Sequence, residues 1–284
     1  MKIAVTSANG KLGSTIVKNL VTMIGKENVI GIARSPQKAA HLGIEVRKGD
    51  YNSRDEFNAA LKGIDTVMLL SGMDEPSKRI EQHRNVIAAA KQNGVQKIVY
   101  TSIVGAEEGS AFSPVVQSNR QTEKDIIASG LNYVIGRNGI YIEPDLEYMD
   151  TYVKEGEIRN CAGEGKCGYT SREELSYAYA KLLIEDQHNG QVYNLVGEAI
   201  TQSELADKIN QVFATQLTFN NTPVTDYLAE RKAALGDFIG TVIAGIYEGI
   251  KNGDNDVTSD FEKAVGRTHE SALGMISNFN KSQN

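Results

Sequence analysis

The sequence predicts an α/β protein, a doubly wound parallel sheet with a smaller, mainly helical C-terminal lobe. Three observations predict it. Short apolar runs of strand length alternate with helix-period segments through the first half of the chain. The connectors between them are short and carry glycine, proline or capping residues. After about residue 140 the alternation stops and helical patterns take over. The 284 residues suit one large domain or a core with an appendage. The reading is a core over 1–140, rejoined by a strand at 190–197, and a smaller lobe over 141–284.

The elements follow in order. "KIAVT" at 2–6 is the first strand, and Leu12, Ile16 and Leu20 give the next segment a helical stripe. "NVIGIAR" at 28–34 is the second strand. In "SPQKAAHLG", Ser35 is placed as an N-cap and Pro36 as the first helical residue. "IEVRKGD" at 44–50 is the third strand. Ser53 and Glu56 then have the spacing of a capping box, and Gly63 stops that helix. "DTVMLLSG" at 65–72 is a nearly continuous apolar run, as a parallel strand buried on both faces requires. A long helix over roughly 77–93 ends at Asn93-Gly94. "VQKIVYTS" at 95–102, a helix near 115–129 and "LNYVIGRNG" at 131–139 complete six strands. Beyond them, helices are expected near 145–155, 172–185, 202–214, 224–235 and 237–252. "GQVYNLVG" at 190–197 returns to the sheet, and Thr258 or Ser259 caps a last short helix.

Composition narrows the function classes. Hydrophobic residues are 40% and charged residues 23% of the chain, with a net charge of −6, which disfavours a dedicated nucleic-acid binder. No apolar run approaches the ~20 residues that span a bilayer, and the N-terminus enters a strand without an apolar leader. The two cysteines, Cys161 and Cys167, are too few for a disulfide framework and lack metal or redox spacing. None of the four histidines pairs at metal spacing, so no metal is expected. The expected setting is the cytoplasm.

The chemistry begins at "AVTSANGKLGSTI", residues 4–16. Strand, glycine turn and helix start follow one another, which puts unpaired N–H groups and the positive helix end at one point, favouring phosphate. Gly10 and Gly13 have the spacing of a dinucleotide fingerprint, but Ser7 stands where its first glycine should fall. A serine is tolerable there if φ stays negative, and its hydroxyl can then donate to phosphate. The cofactor-contacting set expected along this turn is Thr6, Ser7, Asn9, Gly10, Lys11, Leu12 and Gly13. The second strand ends in "IAR", without the acid that an NAD site uses on the ribose hydroxyl. Arg34 stands where a 2′-phosphate would sit, with Lys38 one helical turn on, so NADPH is expected over NADH. Asp50 and Tyr51 in "GDY" suit an adenine ring, and Ser71 and Gly72 in "LLSG" fall where cofactor meets substrate.

Six stretches then fall in a familiar order: "VTSANGKLG", "ARSP", "GDY", "EQHRNVIAAAKQNGVQKIVYTS", "TEKDIIASGLNYVIGRNGIY" and "DFEKAVGR". Together they resemble the NmrA-like group of atypical short-chain dehydrogenases and, within it, the bacterial NADPH-dependent quinone oxidoreductases of type 2. The resemblance covers nearly the whole chain and is thinner in the helical lobe. It implies NADPH binding, and hydride transfer to a quinone in the reductase members. Other members bind NADP(H) without evident catalysis and act as redox sensors, which is the alternative function. The resemblance also implies that Arg137, Asn138, Gly139 and Tyr141 border the nicotinamide and the substrate pocket. In one departure, the place before "TEK" where type-2 members carry a histidine holds Asn119, which cannot titrate.

Two stretches match Tyr-x-x-x-Lys, "YAYAK" (Tyr177, Lys181) and "YEGIK" (Tyr247, Lys251). Neither lies on the helix after the fifth strand, where the working pair of a short-chain dehydrogenase belongs, and both read as chance matches. Lack of the pair disfavours alcohol–ketone chemistry. It leaves quinone reduction open, because a quinone accepts hydride readily and its oxyanion is a stabilised phenolate. Asn138 and Tyr141 are the candidate donors to that oxygen, and Tyr100, Thr101 and Ser102 end a strand beside the site. The expected partner is a small quinone-like acceptor, with no nucleic acid or membrane and with a homodimer left open.

Overall fold

A computed structural model describes residues 1–283 of the chain. Seven strands form one parallel sheet: β1 (Ile3–Val5), β2 (Val29–Ala33), β3 (Glu45–Lys48), β4 (Thr66–Leu69), β5 (Lys97–Ile103), β6 (Asn132–Asn138) and, later in the chain, β10 (Gln191–Leu195). Their order is β10-β6-β5-β4-β1-β2-β3. The order reverses direction between β1 and β4, and ligands of open α/β sheets bind beyond the carboxyl ends at such a point.

Helices cover both faces. On one side α2 (Arg54–Ala60), α3 (Pro76–Gln92) and α4 (Ser113–Ala128) enclose a core that includes Ile30, Phe57, Leu69, Val86, Ile98 and Ile126. On the other, α1 (Lys11–Ile24) buries Leu12, Ile16 and Leu20 with Leu175, Tyr179 and Leu182 of α7 (Arg172–Ile184) and Phe261 of α11 (Phe261–Val265). The chain therefore does not leave the core once at residue 140. Besides the returning strand, α7 and α11 also pack on the sheet.

The remaining segments are β7 (Ile140–Tyr141), α5 (Glu143–Glu147), α6 (Met149–Glu155), β8 (Glu157–Asn160), β9 (Cys167–Thr170), β11 (Ala199–Ile200), α8 (Gln202–Phe213), β12 (Thr218–Asn221), α9 (Val224–Leu235), α10 (Asp237–Lys251) and α12 (Ala272–Gln283). The lobe is mainly helical, but it holds a three-stranded sheet, β11-β9-β7, and a two-stranded one, β12-β8. These strands have two to four residues, too short for a period-2 pattern to show.

Local signals mostly act as expected. Ser53 and Ser171 accept from the amides of Glu56 and Glu174. Three expectations need correction. Glu56 closes no capping box with Ser53, because its Oε2 accepts from the Asp50 amide. Ser259 Oγ accepts from the Phe261 amide, but the N-cap of α11 is Asp260, which makes no side-chain capping bond, and α11 is not the last helix. Pro36–Leu42 winds as a 3₁₀ helix, and Ser35 makes no side-chain capping bond. Cys161 and Cys167 are free and buried. No helix among the described residues is long and apolar enough to cross a membrane.

Candidate active site

A cleft of about 940 Å³ opens along the carboxyl edge of the sheet. It runs from the turn after β1, past the ends of β2 to β6, to a wall formed by α9 and α10.

The first end is the glycine turn. Ser7 has φ of +49°, so the condition under which its hydroxyl was expected to serve phosphate is not met. A left-handed serine is strained by roughly 1–2 kcal/mol relative to glycine. Its Oγ donates to the Tyr51 hydroxyl at 3.2 Å. That hydroxyl lies 2.7 Å from both Thr6 Oγ1 and the Leu70 carbonyl, so Tyr51 ties the turn to the end of β4. Burial pushes its pKa up to about 12. Gly13 permits the close approach of helix to turn, since a Cβ there would sit 2.3 Å from the Ser7 carbonyl oxygen.

The start of α1 suits an anion. The amides of Lys11, Leu12 and Gly13 have no acceptor among the described residues, no side chain caps the helix, and its first turn carries no acid. Gly10, Lys11, Leu12 and Gly13 all line the cleft. This is the donor set that a pyrophosphate requires. Lys11 Nζ is held by Glu147 of α5 at 2.7 and 2.8 Å. Arg34 lines the cleft, exposed, with no hydrogen bond or ion pair among the described residues. Lys38 and Asn9 are exposed and lie off the cleft wall, and buried Thr6 acts only through Tyr51 and the Leu70 amide. Asp50 lines the cleft, but its Oδ1 already accepts two bonds from Asn52.

The middle of the cleft is a fixed polar network. The Ser71 amide donates to Thr101 Oγ1 at 2.7 Å, and the Gly72 amide donates to His83 Nε2 at 3.0 Å. His83 is therefore neutral, with its Nδ1 proton on Thr122, and burial pushes its pKa down to about 3. Asn119 Oδ1 accepts from Tyr100 Oη at 2.6 Å and from Ser71 Oγ at 3.0 Å, while its Nδ2 donates to Val115. Tyr100 is thus a core residue that fixes Asn119. Arg79, unforeseen from the sequence, also lines the cleft. It is buried, its Nη2 donates to the Asp74 carbonyl, and its Nε has no partner.

At the end of β6 the expected group divides. Arg137 is not on the cleft wall. It donates to Glu123 of α4 at 2.7 and 3.0 Å, because strand alternation turns it away from the face that Asn138 occupies. Asn138, Gly139 and Tyr141 do line the cleft. Asn138 Oδ1 accepts from Tyr179 Oη at 2.5 Å, and its Nδ2 donates to Tyr141 Oη at 3.0 Å. The Tyr141 proton has no acceptor among the described residues and is free for a ligand. Burial raises this phenol to about 12, so it stays protonated and acts as a hydrogen-bond donor.

The far end is apolar and aromatic. Phe238, Ile239, Val242, Ile243 and Ile246 of α10 line it with Tyr148, Tyr152, Tyr227 and Tyr247, and the same lining carries Asp145 and the charged Glu155, Arg159, Glu230 and Arg231. Asp145, Tyr152 and Tyr227 lie in segments that carry no sequence motif, and the only sequence signal at Tyr247 is "YEGIK". Lys251 is off the cleft wall, so the motif has no role as a pair, although its tyrosine does line the cleft.

The sheet, the amide-lined turn and the cleft define a dinucleotide-dependent protein, and comparison agrees. The chain belongs to the NAD(P)H-binding family, whose model matches residues 7–183. It is 34% identical over 272 residues to quinone oxidoreductase 2 of Escherichia coli K12, covering 93% of each chain. The crystal structure of an E. coli NADPH-dependent quinone oxidoreductase complexed with NADPH superposes with a TM-score of 0.90 at 31% identity, over 98% of this chain and 99% of that one. The Citrobacter triphenylmethane reductase complexed with NADP(H) gives 0.89 at 29%, over 99% and 100%. These relatives are oxidoreductases, and the resemblance read from the sequence is borne out.

Proposed function

We propose that the protein is a cytoplasmic NADPH-dependent oxidoreductase that passes a hydride to a quinone or a similarly small electrophilic acceptor. One observation carries this reading. A single cleft is lined by Gly10 to Gly13 at the open start of α1, by Asn138 and Tyr141, and by the apolar and aromatic side chains of α9 and α10. The amides of Lys11, Leu12 and Gly13 hold the pyrophosphate, and Arg34 holds the 2′-phosphate. Bound there, the nicotinamide supplies the hydride. The aromatic walls hold the acceptor flat and exclude water, and Tyr141 donates to the oxygen on which negative charge develops. Asn138 fixes the Tyr141 hydroxyl by donating to it, which leaves the phenol proton aimed elsewhere. The named activities of the E. coli and Citrobacter relatives support this class of acceptor.

The test is the loss of nicotinamide absorbance when purified protein meets NADPH and a small benzoquinone, with NADH alongside and protein-free controls. Oxidation selective for NADPH is expected. Asn119 favours a second reading, because the helix position beside the site holds an amide committed to Tyr100, Ser71 and Val115 rather than an acid. Tight NADPH binding without turnover would make the protein a redox sensor instead.

A further inference from the structure

The acceptor end of the cleft holds a buried carboxyl that the proposed hydride transfer leaves without a task. Asp145 is 5% exposed and lines the cleft. Its Oδ1 accepts from Tyr152 Oη and Tyr247 Oη, both at 2.9 Å, and its Oδ2 accepts from Tyr169 Oη at 3.1 Å. Tyr169 in turn accepts from Gln202 at 3.0 Å, which fixes it as the donor to Oδ2. Tyr152 and Tyr247 both line the cleft.

We propose that Asp145, acting through the hydroxyls of Tyr152 and Tyr247, is the proton source that completes reduction of the acceptor. The inference rests on the oxidoreductase reading. Reduction of a quinone takes a hydride, which carries two electrons, and one proton. The hydride leaves a phenolate oxygen on the acceptor. Tyr247 or Tyr152 gives its O–H proton to that oxygen and takes the proton of the Asp145 carboxyl in the same relay. The carboxylate regains a proton from water once the product leaves.

The geometry suits the relay in two respects. Two phenols share Oδ1, so when the carboxyl carries a proton there, one of them must turn from donor to acceptor. Its own proton is then free to point into the cleft. In addition, no cation neutralises Asp145, which has no ion pair among the described residues. It is faced by Tyr152 of α6, Tyr169 and Cys167 of β9, Tyr247 of α10 and Tyr227 of α9, and the Arg231 guanidinium of α9 lies beyond it, 5.2 Å from the Tyr227 ring centre. Burial in these surroundings raises its pKa, although the three phenol bonds oppose the rise. Tyr141 cannot replace it, since a phenol at about 12 donates a hydrogen bond but holds its proton. Asn119 cannot titrate at all.

The experiment compares two acceptors on the NADPH-loaded protein. A benzoquinone needs hydride and proton, whereas a triphenylmethane dye cation needs hydride alone. In D145N the quinone-to-dye rate ratio should fall by at least ~10-fold, within the range of general acid catalysis. The wild-type quinone rate should decline as pH rises through the Asp145 pKa, and D145N should lose that limb. The double variant Y152F/Y247F keeps both rings and the carboxyl, and should lower the same ratio if D145N folds poorly. As a readout independent of turnover, the infrared band of the protonated carboxyl, identified by its loss in D145N, should fade at the pH midpoint of the rate. An unchanged ratio in both variants overturns the relay alone. A fall in the dye rate only would assign Asp145 to holding a cationic acceptor, and overturns it too. A wild type that oxidises NADPH with neither acceptor brings down the oxidoreductase reading, and the relay with it.

Discussion

At one end of the cleft the open groups are main-chain amides from one continuous strand, turn and helix. At the other they are side chains from β7, α5, α6, α9 and α10, segments separated by up to a hundred residues. The amide-built end depends on backbone path, which a few residues dictate. The side-chain end depends on several separate choices, each of which can change alone. A protein built this way can exchange its acceptor by substitution in the lobe without disturbing the cofactor turn.

The middle of the cleft and its acceptor end also respond to pH in opposite directions, which gives the largest expected effect. His83 supports the Gly72 amide and is neutral, with a folded pKa of about 3 against 6.5 unfolded. Between those values the unfolded chain binds a proton that the folded one refuses. The stability tied to His83 is therefore full above pH 6.5 and lost as pH falls toward 3, by on the order of 5 kcal/mol. Asp145 has a raised folded pKa, so the folded chain binds its proton more tightly, and its effect on stability worsens as pH rises. Denaturant unfolding of wild type and H83Q across pH 3 to 7 measures the first. The difference in their acid sensitivity should be most of that amount, and parallel curves would remove the contrast.

Legibility in the sequence divides along the same line. The inner strands of the main sheet were readable because buried parallel strands are continuous apolar runs between glycines and caps, and the edge strands β3 and β10, half exposed, were readable from their place in the alternation. The turn at Gly10 and Gly13 was readable because backbone geometry restricts residue type. Ser7 misled, since its type does not report its φ of +49°; the turn is held by Tyr51, 44 residues away. Arg137 was misplaced by its neighbours in "RNGIY", because the strand period sends it to Glu123 while Asn138 faces the cleft. Asp145 and its tyrosines were invisible because only tertiary packing brings Tyr152, Tyr169 and Tyr247 to one carboxyl.

Tyr141 tests the side-chain end. Tyr141→Phe keeps the ring and removes the one free donor beside Asn138. With benzoquinone, kcat should fall about 10²-fold, or roughly 2.7 kcal/mol, with the NADPH dissociation constant unchanged. A parallel loss of NADPH affinity would show that the two ends are not separable.

Arg34 is the side chain proposed to add to the amide-built end. Arg34→Ala should weaken NADPH by ~30-fold, about 2 kcal/mol, and leave NADH nearly unchanged, as read by equilibrium titration of nicotinamide fluorescence. Equal weakening of both would remove the 2′-phosphate assignment and leave binding to the backbone alone.

The smallest effect concerns the link between the ends. Glu147 on α5 bonds Lys11 at the mouth of the glycine turn and Arg172 at the start of α7. Lys11 is 63% and Glu147 38% exposed, so water and salt screen their pair. Glu147→Gln should change stability by no more than ~0.5 kcal/mol. It also frees Lys11, whose ammonium then faces only the phosphates. NADPH should bind two- to fourfold more tightly, less so as salt rises, in keeping with screening of a gain of roughly 0.5 kcal/mol. If affinity instead falls, Glu147 serves the cofactor by positioning Lys11 rather than competing for it. The acceptor side would then reach into the cofactor turn through α5, and the independence of the two ends would stop at that ion pair.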